Sequence, residues 1–416
     1  MKRKVLLLSI LYLFVSACSK DDDKDTDSGA DKSDAKEITS FSFLASDNDG
    51  LAEDTAAVID EGEKTVTVTL PSDTVVTSLR PNIEVSQGAT IDPENKVETD
   101  FSDTVEYTVT AEDGSTAVYK VKINVAGWDV VTPEAAFLGR RAHSTVVFDG
   151  KLWVMGGSYR LPMFTIDTDD VWYSEDGITW TEATDAAAFG RRGGRADHTS
   201  VTFDDKLWVI GGQGEGTFND VWYSEDGITW TEATGTAAFS KRTNHGAVVF
   251  DNKLWVIGGY NGEYKNDVWY SEDGITWTEA TDTAAFSERR FHTTVVFDDR
   301  IWVIGGYDGN DRLNDVWYSE DGITWTEATG AAAFGGRYEH TSVVFDDRLW
   351  VIGGYNGEYK NDVWYSEDGI TWTEATGAAA FSRRYDHTSV VFDDRIWVIG
   401  GYDGDELNDV WAFGIE

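Results

Sequence analysis

The sequence predicts an all-β chain, with a six-bladed β-propeller over residues 126–416 preceded by a small β-sandwich over 37–125. Three observations predict it. Gly-Gly pairs stand at 156/157, 211/212, 258/259, 305/306, 353/354 and 400/401, in steps of 55, 47, 47, 48 and 47 residues, the self-similarity expected of a repeat fold. The string YSEDGITWTEAT occurs five times unchanged, beginning at Tyr173, Tyr223, Tyr270, Tyr318 and Tyr365. All 18 tryptophans lie at or after Trp128, which is three for each of six repeats.

The N-terminus opens with Lys2, Arg3 and Lys4, followed by an apolar run from Val5 to Val15. This is the plan of a signal peptide, and the run is short for a membrane span. Val15-Ser16-Ala17-Cys18 resembles the bacterial lipobox, which implies that residues 1–17 are removed and Cys18 is lipidated. Cys18 is the only cysteine, so no disulfide forms within the chain and packing alone must hold the fold. Residues 18–36 are acidic and almost free of apolar side chains, and read as a disordered tether. The start Ser19-Lys20-Asp21-Asp22-Asp23 is similar to the export signal of surface lipoproteins in the Bacteroidetes. The resemblance implies a lipid anchor in the outer membrane with display on the cell surface.

From Ile38 the segments ITSFSF, KTVTVTL, VEYTVTA and AVYKVKINV alternate apolar and polar residues, as strands with one buried face do. Turn signals at Pro71-Ser72-Asp73 and Asp113-Gly114 separate them. The stretch resembles the immunoglobulin-like modules of Bacteroidetes surface lipoproteins, where such modules act as spacers.

Each later repeat fits four short strands. Strand a is His-x-x-Val-Val-Phe, strand b is Leu-Trp-Val-Ile before the Gly-Gly pair, strand c is Asp-Val-Trp-Tyr, and strand d is Ile-Thr-Trp-Thr. Asp-Gly and Asp-Asp turns join a to b and c to d, because these residues tolerate positive φ. The last repeat stops after Asp409-Val410-Trp411-Ala412-Phe413 without strand d, while Gly127-Trp128-Asp129-Val130-Val131 precedes the first. Trp128 lies 15 residues before His143, the spacing seen in four of the other five repeats. The missing strand is therefore expected at the N-terminal end, closing the last sheet and removing its open edge. Each buried Trp covers on the order of 150–250 Å², several kcal/mol at about 25 cal/mol per Å².

The Gly-Gly pair after strand b and the spaced aromatic residues on strands c and d resemble the kelch repeat over residues 127–416. Ser174-Glu175-Asp176-Gly177-Ile178-Thr179-Trp180 is also similar to the Asp-box of sialidase-type propellers, with one residue fewer, and is a structural turn in either setting.

The a–b and c–d turns repeat almost unchanged on one face, whereas the b–c and d–a connections vary on the other. Between Gly-Gly and Asp-Val-Trp the first repeat has twelve residues, the fourth eight and the rest seven; the connection into the second repeat is longer by three. Recognition usually resides in such loops, which makes Tyr159, Arg160, Met163, Phe164, Arg191, Arg192 and Asp197 candidate ligand contacts. Near the mouth of the channel, Arg141 and Arg290 are candidates to read a polar or anionic ligand, and Tyr338 and Tyr385 to stack on it. Each repeat also carries Arg-x-x-His, and six-fold recurrence points to a structural role.

With 75 acidic against 34 basic residues and a formal net charge of -41, the chain repels nucleic acid, which is excluded as a partner. No metal-binding His or Cys spacing occurs, and no cofactor is expected. Calcium would find only the loops holding Asp308, Asn310, Asp311, Asp403, Asp405 and Glu406, which lack EF-hand spacing. The reading favours a surface protein that binds a glycan or protein ligand over an enzyme, because near-identical repeats leave little room for a distinct active centre. The alternatives are a carbohydrate-active kelch enzyme resembling sialic acid mutarotase, and a structural protein of the cell surface.

Overall fold

The computed structural model describes residues 32–415 apart from 52, 53, 72, 73, 162 and 192; Cys18, its flanking segments and Arg192 lie outside them. The described residues from Ile38 to about Val125 form a β-domain of their own. Strand Ile38–Phe43 pairs antiparallel with Pro81–Val85 and with Thr55–Ala56. Strand Thr65–Leu70 runs parallel to Thr116–Thr132, whose other edge carries Val105–Thr110. Alternation places Phe41, Phe43, Val66, Val68, Tyr107 and Tyr119 in one core, where Phe41 meets Phe43 edge-on at 5.6 Å.

Five four-stranded antiparallel sheets follow, and a sixth set, Thr388–Phe392, Arg395–Tyr402 and Glu406–Ile415, is continued by the end of Thr116–Thr132. In the first, strand a (Ser144–Phe148) pairs with b (Lys151–Met155), b with c (Val171–Ser174), and c with d (Thr181–Thr184). Strand d starts after its tryptophan, at Thr181, three residues later than the expected start at Ile178. The cause is local: Asp176 Oδ1 accepts the amides of Ile178 and Thr179, both at 2.8 Å, and so holds them in the turn. Gly177 then lies flat against Trp397 of the preceding sheet, where a Cβ would come within 2.1 Å of the indole. Gly227 meets Trp153 in the same way, as do Gly274 with Trp208, Gly322 with Trp255 and Gly369 with Trp302. The invariance of the repeated string therefore follows from packing: each turn is shaped to receive the next indole.

The sixth sheet takes its outer strand from the start of the domain, with Trp411 opposite Val130 and Phe413 opposite Trp128. That outer strand is the end of Thr116–Thr132, so a single 17-residue strand leaves the N-terminal domain and enters the last sheet without a linker. The innermost strands neighbour one another in cyclic order, Thr388–Phe392 meeting Ser144–Phe148, and Thr145 Oγ1 lies 2.7 Å from Thr388 Oγ1.

Arg-x-x-His turns out to be the frame. Each arginine is fully buried and grips the aspartate of its Asp-Val-Trp with both terminal nitrogens at 2.7–2.9 Å: Arg140 with Asp170, Arg195 with Asp220, Arg242 with Asp267, Arg289 with Asp315, Arg337 with Asp362 and Arg384 with Asp409. The arginine's backbone carbonyl accepts the amide of the second Gly of the preceding sheet, as Arg195 does from Gly157 at 2.8 Å. One side chain thus fixes its own repeat while its backbone fixes the neighbour.

Candidate functional site

The residues before the six histidines converge on the axis and vary from repeat to repeat. Ala142, Asp197, Asn244, Phe291, Glu339 and Asp386 all have positive φ, from 52° to 59°. Asn and Asp accept that conformation readily, but Phe291 and Glu339 hold it at a cost of order 1 kcal/mol or more each. What holds them is a cycle of backbone hydrogen bonds. Asp197 donates to Ala142, Asn244 to Asp197, Phe291 to Asn244, Glu339 to Phe291, Asp386 to Glu339 and Ala142 back to Asp386, at 3.0–3.3 Å. Strain of this kind concentrates at functional sites.

Below this cycle the six histidines line an axial cavity of about 130 Å³ together with the same six residues. Five of them place Nε2 against a hydroxyl of the preceding sheet, such as His198 on Ser144 at 2.8 Å and His245 on Thr199 at 2.9 Å. The exception is His292, because Gly246 stands where the others have Ser or Thr. Burial, reinforced by the neighbouring arginine, keeps the imidazoles neutral, with His143, His198, His292 and His340 pushed down to about 3.

The carboxyls above them behave oppositely. Burial pushes Asp197 up to about 6, with the Asp167 charge adding to it against the Asn244 hydrogen bond and the Arg141 and Arg290 charges. Burial and the Asp197 charge push Asp386 up to about 7, and burial followed by the charges of Asp386 and Asp197 raises Glu339 well above the usual range. Each carboxyl still keeps part of its surface open to the axis. Asp197 is held by Asn244 Nδ2 at 2.7 Å and Gln213 Nε2 at 2.6 Å. Acids raised by burial and by one another's charge, gathered on one axis, are the equipment of general acid–base chemistry.

Arg141 and Arg290 flank this centre. Arg141 reaches Tyr385 Oη at 3.3 Å, lies over the Tyr402 ring and faces Glu406 at 3.7 Å. Arg290 sits over Tyr260, Tyr264 and Phe291 with its Nε unpaired among the described residues. Tyr338 stacks on Phe291 at 5.6 Å, and Tyr385 packs on Tyr359 at 5.1 Å. Arg141, Asp197, Arg290, Tyr338 and Tyr385 therefore meet around one mouth, on the face of the variable connections.

The two insertions are placed differently. Ser158–Leu161 and Phe164–Asp167 form a hairpin whose base pairs with Arg141 through Ser158. Its flank carries Tyr159 and the exposed Arg160, and its tip exposes Met163 (90%) and Phe164 (59%). Arg191 is taken up by the buried Asp220, which it meets at 2.8 Å, and by the Phe218 ring. Sequence reasoning singled out the channel mouth but passed over Glu339 and Asp386, which read there only as variable spacers between Arg and His. The signal was the company they keep, since Asp197 occupies the same repeat position. The acidic loops form their own turns: Asp308 accepts the amides of Asn310 and Asp311 at 2.8 and 2.7 Å. Among the described residues, no group of three or more His, Cys, Asp or Glu is placed to hold a metal ion.

The pKa shifts fix a test. Asp386 binds its proton more tightly folded than unfolded, so between its ordinary value and about 7 its contribution to stability falls as pH rises. Asp386→Asn should therefore stabilise the fold at pH 8, by about 1–2 kcal/mol after solvent screening of this half-open group, with the gain vanishing toward pH 4. Urea midpoints of parent and variant across that range measure it, and a pH-independent difference would contradict the assignment.

Comparison with known proteins agrees with this architecture. Residues 38–123 match the family model described as SGBP, N-terminal. Residues 197–367 match the KLHDC2/KLHL20/DRC7 Kelch-repeats domain, and 383–413 match the Kelch motif. The chain thus carries kelch-repeat segments behind an N-terminal segment that matches the SGBP model. No curated protein matches it. Among solved structures it is similar in fold to YjhT, with 16% identity, a TM-score of 0.55, and coverage of 67% of this chain and 95% of that one. That likeness argues against the preference for a binder over an enzyme. The expectation rested on near-identical repeats, and the axis is where the repeats differ.

Proposed function

We propose that the chain is a carbohydrate-directed surface protein whose kelch domain takes a sugar at the axial mouth and supplies acid–base groups to act on it. The observation that carries this reading is the trio Asp197, Glu339 and Asp386 lining one axial cavity, each carboxyl raised by burial and by nearby carboxylate charge. Interconversion of a sugar's anomers needs an acid and a base, and any two of these carboxyls can supply the pair. One carboxyl gives a proton to the ring oxygen while a neighbouring carboxylate takes the proton of the anomeric hydroxyl; the bond from C1 to the ring oxygen breaks, a carbonyl forms, and closure on the other face reverses the transfers. Tyr338 and Tyr385 offer ring faces to the sugar's apolar side, and Arg141 and Arg290 orient its polar groups. The resemblance to sialic acid mutarotase, the SGBP match and the fold likeness to YjhT support this reading over a purely structural role.

Exchange spectroscopy on free sugars tests it, with N-acetylneuraminic acid, galactose, glucose and N-acetylglucosamine as probes. The parent protein is expected to accelerate anomer exchange of at least one of them, and Glu339→Gln to lower that rate by roughly 10²-fold or more. Exchange at the buffer rate for every probe would overturn the proposal.

The finer architecture belongs to the same reading. A closed six-bladed propeller is supported by the seam between residues 126–132 and 410–415 and by the returning cycle of axial hydrogen bonds. An immunoglobulin-like fold for the N-terminal domain is supported by its alternating strands and shared core. Lipidation of Cys18 and display on the outer membrane rest on the N-terminal motif. Cys18→Ser should release the protein from the membrane fraction, and mass spectrometry of the mature N-terminus should find acyl chains only on the parent.

A further inference from the structure

The residue that follows each Gly-Gly pair divides the repeats into two groups. It is Ser158 in the first and Gln213 in the second, but Tyr260, Tyr307, Tyr355 and Tyr402 in the other four. In those four, strands b and c run on past the Gly-Gly pair toward the variable face, with Tyr355 opposite Tyr359 and Tyr402 opposite Glu406. The rings join in an unbroken arc beside the axis: Tyr260 with Tyr264 at 5.1 Å, Tyr264 with Tyr307 at 6.0 Å, Tyr307 with Tyr338 at 5.6 Å, Tyr338 with Tyr355 at 5.4 Å, Tyr355 with Tyr385 at 6.0 Å and Tyr385 with Tyr402 at 5.5 Å. All are half-exposed.

A packing role does not account for this arc. Closing a sheet onto its neighbour is needed in every repeat, yet the first two close with Ser158 and Gln213. Nor are most of the hydroxyls engaged by the fold. Among the described residues, Tyr307 donates to Gly309 at 2.8 Å and Tyr385 accepts from Arg141 at 3.3 Å, while those of Tyr338, Tyr355 and Tyr359 meet no protein partner. Aromatic faces with free polar edges, lying side by side, suit a ligand that alternates apolar faces with hydroxyl groups. The axial cavity, at about 130 Å³, encloses no more than one sugar unit. The arc continues away from it over the last four repeats.

We propose that the mouth takes an oligosaccharide chain, with one terminal unit in the axial cavity and the following units laid across the tyrosine arc. This rests on the reading of the axial cavity as a sugar site, and it adds the ligand's length and course. The arc positions the chain and takes no part in proton transfer at the carboxyls.

Titration calorimetry on the full described chain tests it with β-1,4-linked glucose, xylose and N-acetylglucosamine oligomers and with α-2,8-linked sialic acid oligomers, each from one to six units. In at least one series, affinity is expected to rise by more than tenfold from one unit to four. Tyr307→Gln and Tyr355→Gln, which install the residue that Gln213 already provides in the second repeat, should then lower tetramer affinity about tenfold and leave the urea midpoint and monosaccharide anomer exchange as in the parent. An affinity that is flat with length, an affinity that ignores both substitutions, or no binding by any series overturns the chain proposal. Anomer exchange of the free monosaccharides is read separately, so loss of one proposal leaves the other standing or falling by its own measurement.

Discussion

Asp220→Ala is expected to destabilise the kelch domain by about 3–5 kcal/mol, the range for removing one partner of a buried ion pair. Asp220 and Arg195 are both almost wholly buried, with side-chain exposures of 1% and 0%. The carboxylate accepts from Arg195 at 2.7 and 2.8 Å, from the Trp222 indole at 2.9 Å and from Arg191 at 2.8 Å. Burial alone would raise its pKa, but the Arg195 hydrogen bonds and charge reverse this and leave it lowered. Alanine leaves Arg195 charged in the interior with only the carbonyls of Gly211 and Phe189 to meet it. Glu225→Ala is the control: Glu225 meets Lys206 at 3.9 Å on the surface, and such pairs contribute 0–1 kcal/mol. Equal urea midpoints for the two variants would refute the framing role of the Arg–Asp pairs. The sign with pH follows. Since the folded pKa is depressed, the pair's contribution is complete above the ordinary carboxylate value and is lost as pH falls through the folded one.

Deleting residues 126–132 should be the other large effect, several kcal/mol with onset of self-association. The strand Glu406–Ile415 would then present unpaired amides and carbonyls, an edge prone to pairing with other chains. Trp128 would leave its edge-on contact with Phe381 at 4.9 Å and its packing on Phe413 at 5.3 Å. The buried hydrogen bond from Thr132 Oγ1 to the Gly177 carbonyl, 2.9 Å long, would go as well, and it ties the last sheet to the first. Trp128→Ala isolates the packing share, roughly 3 kcal/mol. Thermal melting and size-exclusion chromatography read both variants; an unchanged melting temperature and a single monomer peak in the deletion would contradict the seam.

Much of the frame was legible because it is built from spacing. Periodic Gly-Gly, Asp-Val-Trp and the count of 18 tryptophans reflect contacts made six times over, and repeated contacts leave repeated letters. The boundary of strand d was misplaced by its own apolar pattern, since Ile-Thr-Trp-Thr reads as strand until Asp176 is seen to hold the amides of Ile178 and Thr179. The pull of the insertions toward Arg191 came from loop length, which carries no information about where a guanidinium finds its counter-ion.

The sequence by itself determined the repeat, the four strands of each sheet, the source of the last strand and the structural role of Arg-x-x-His. These follow from local hydrophobic pattern and from identical neighbours. Only the tertiary structure decided that Asp197, Glu339 and Asp386, distant in the chain, share one solvent-open centre and disturb one another's ionisation. It also joined the tyrosines of four repeats into one arc. The reason is geometric: rotation about the axis brings together residues about 47 positions apart, and their mutual electrostatics depend on that convergence rather than on any local pattern.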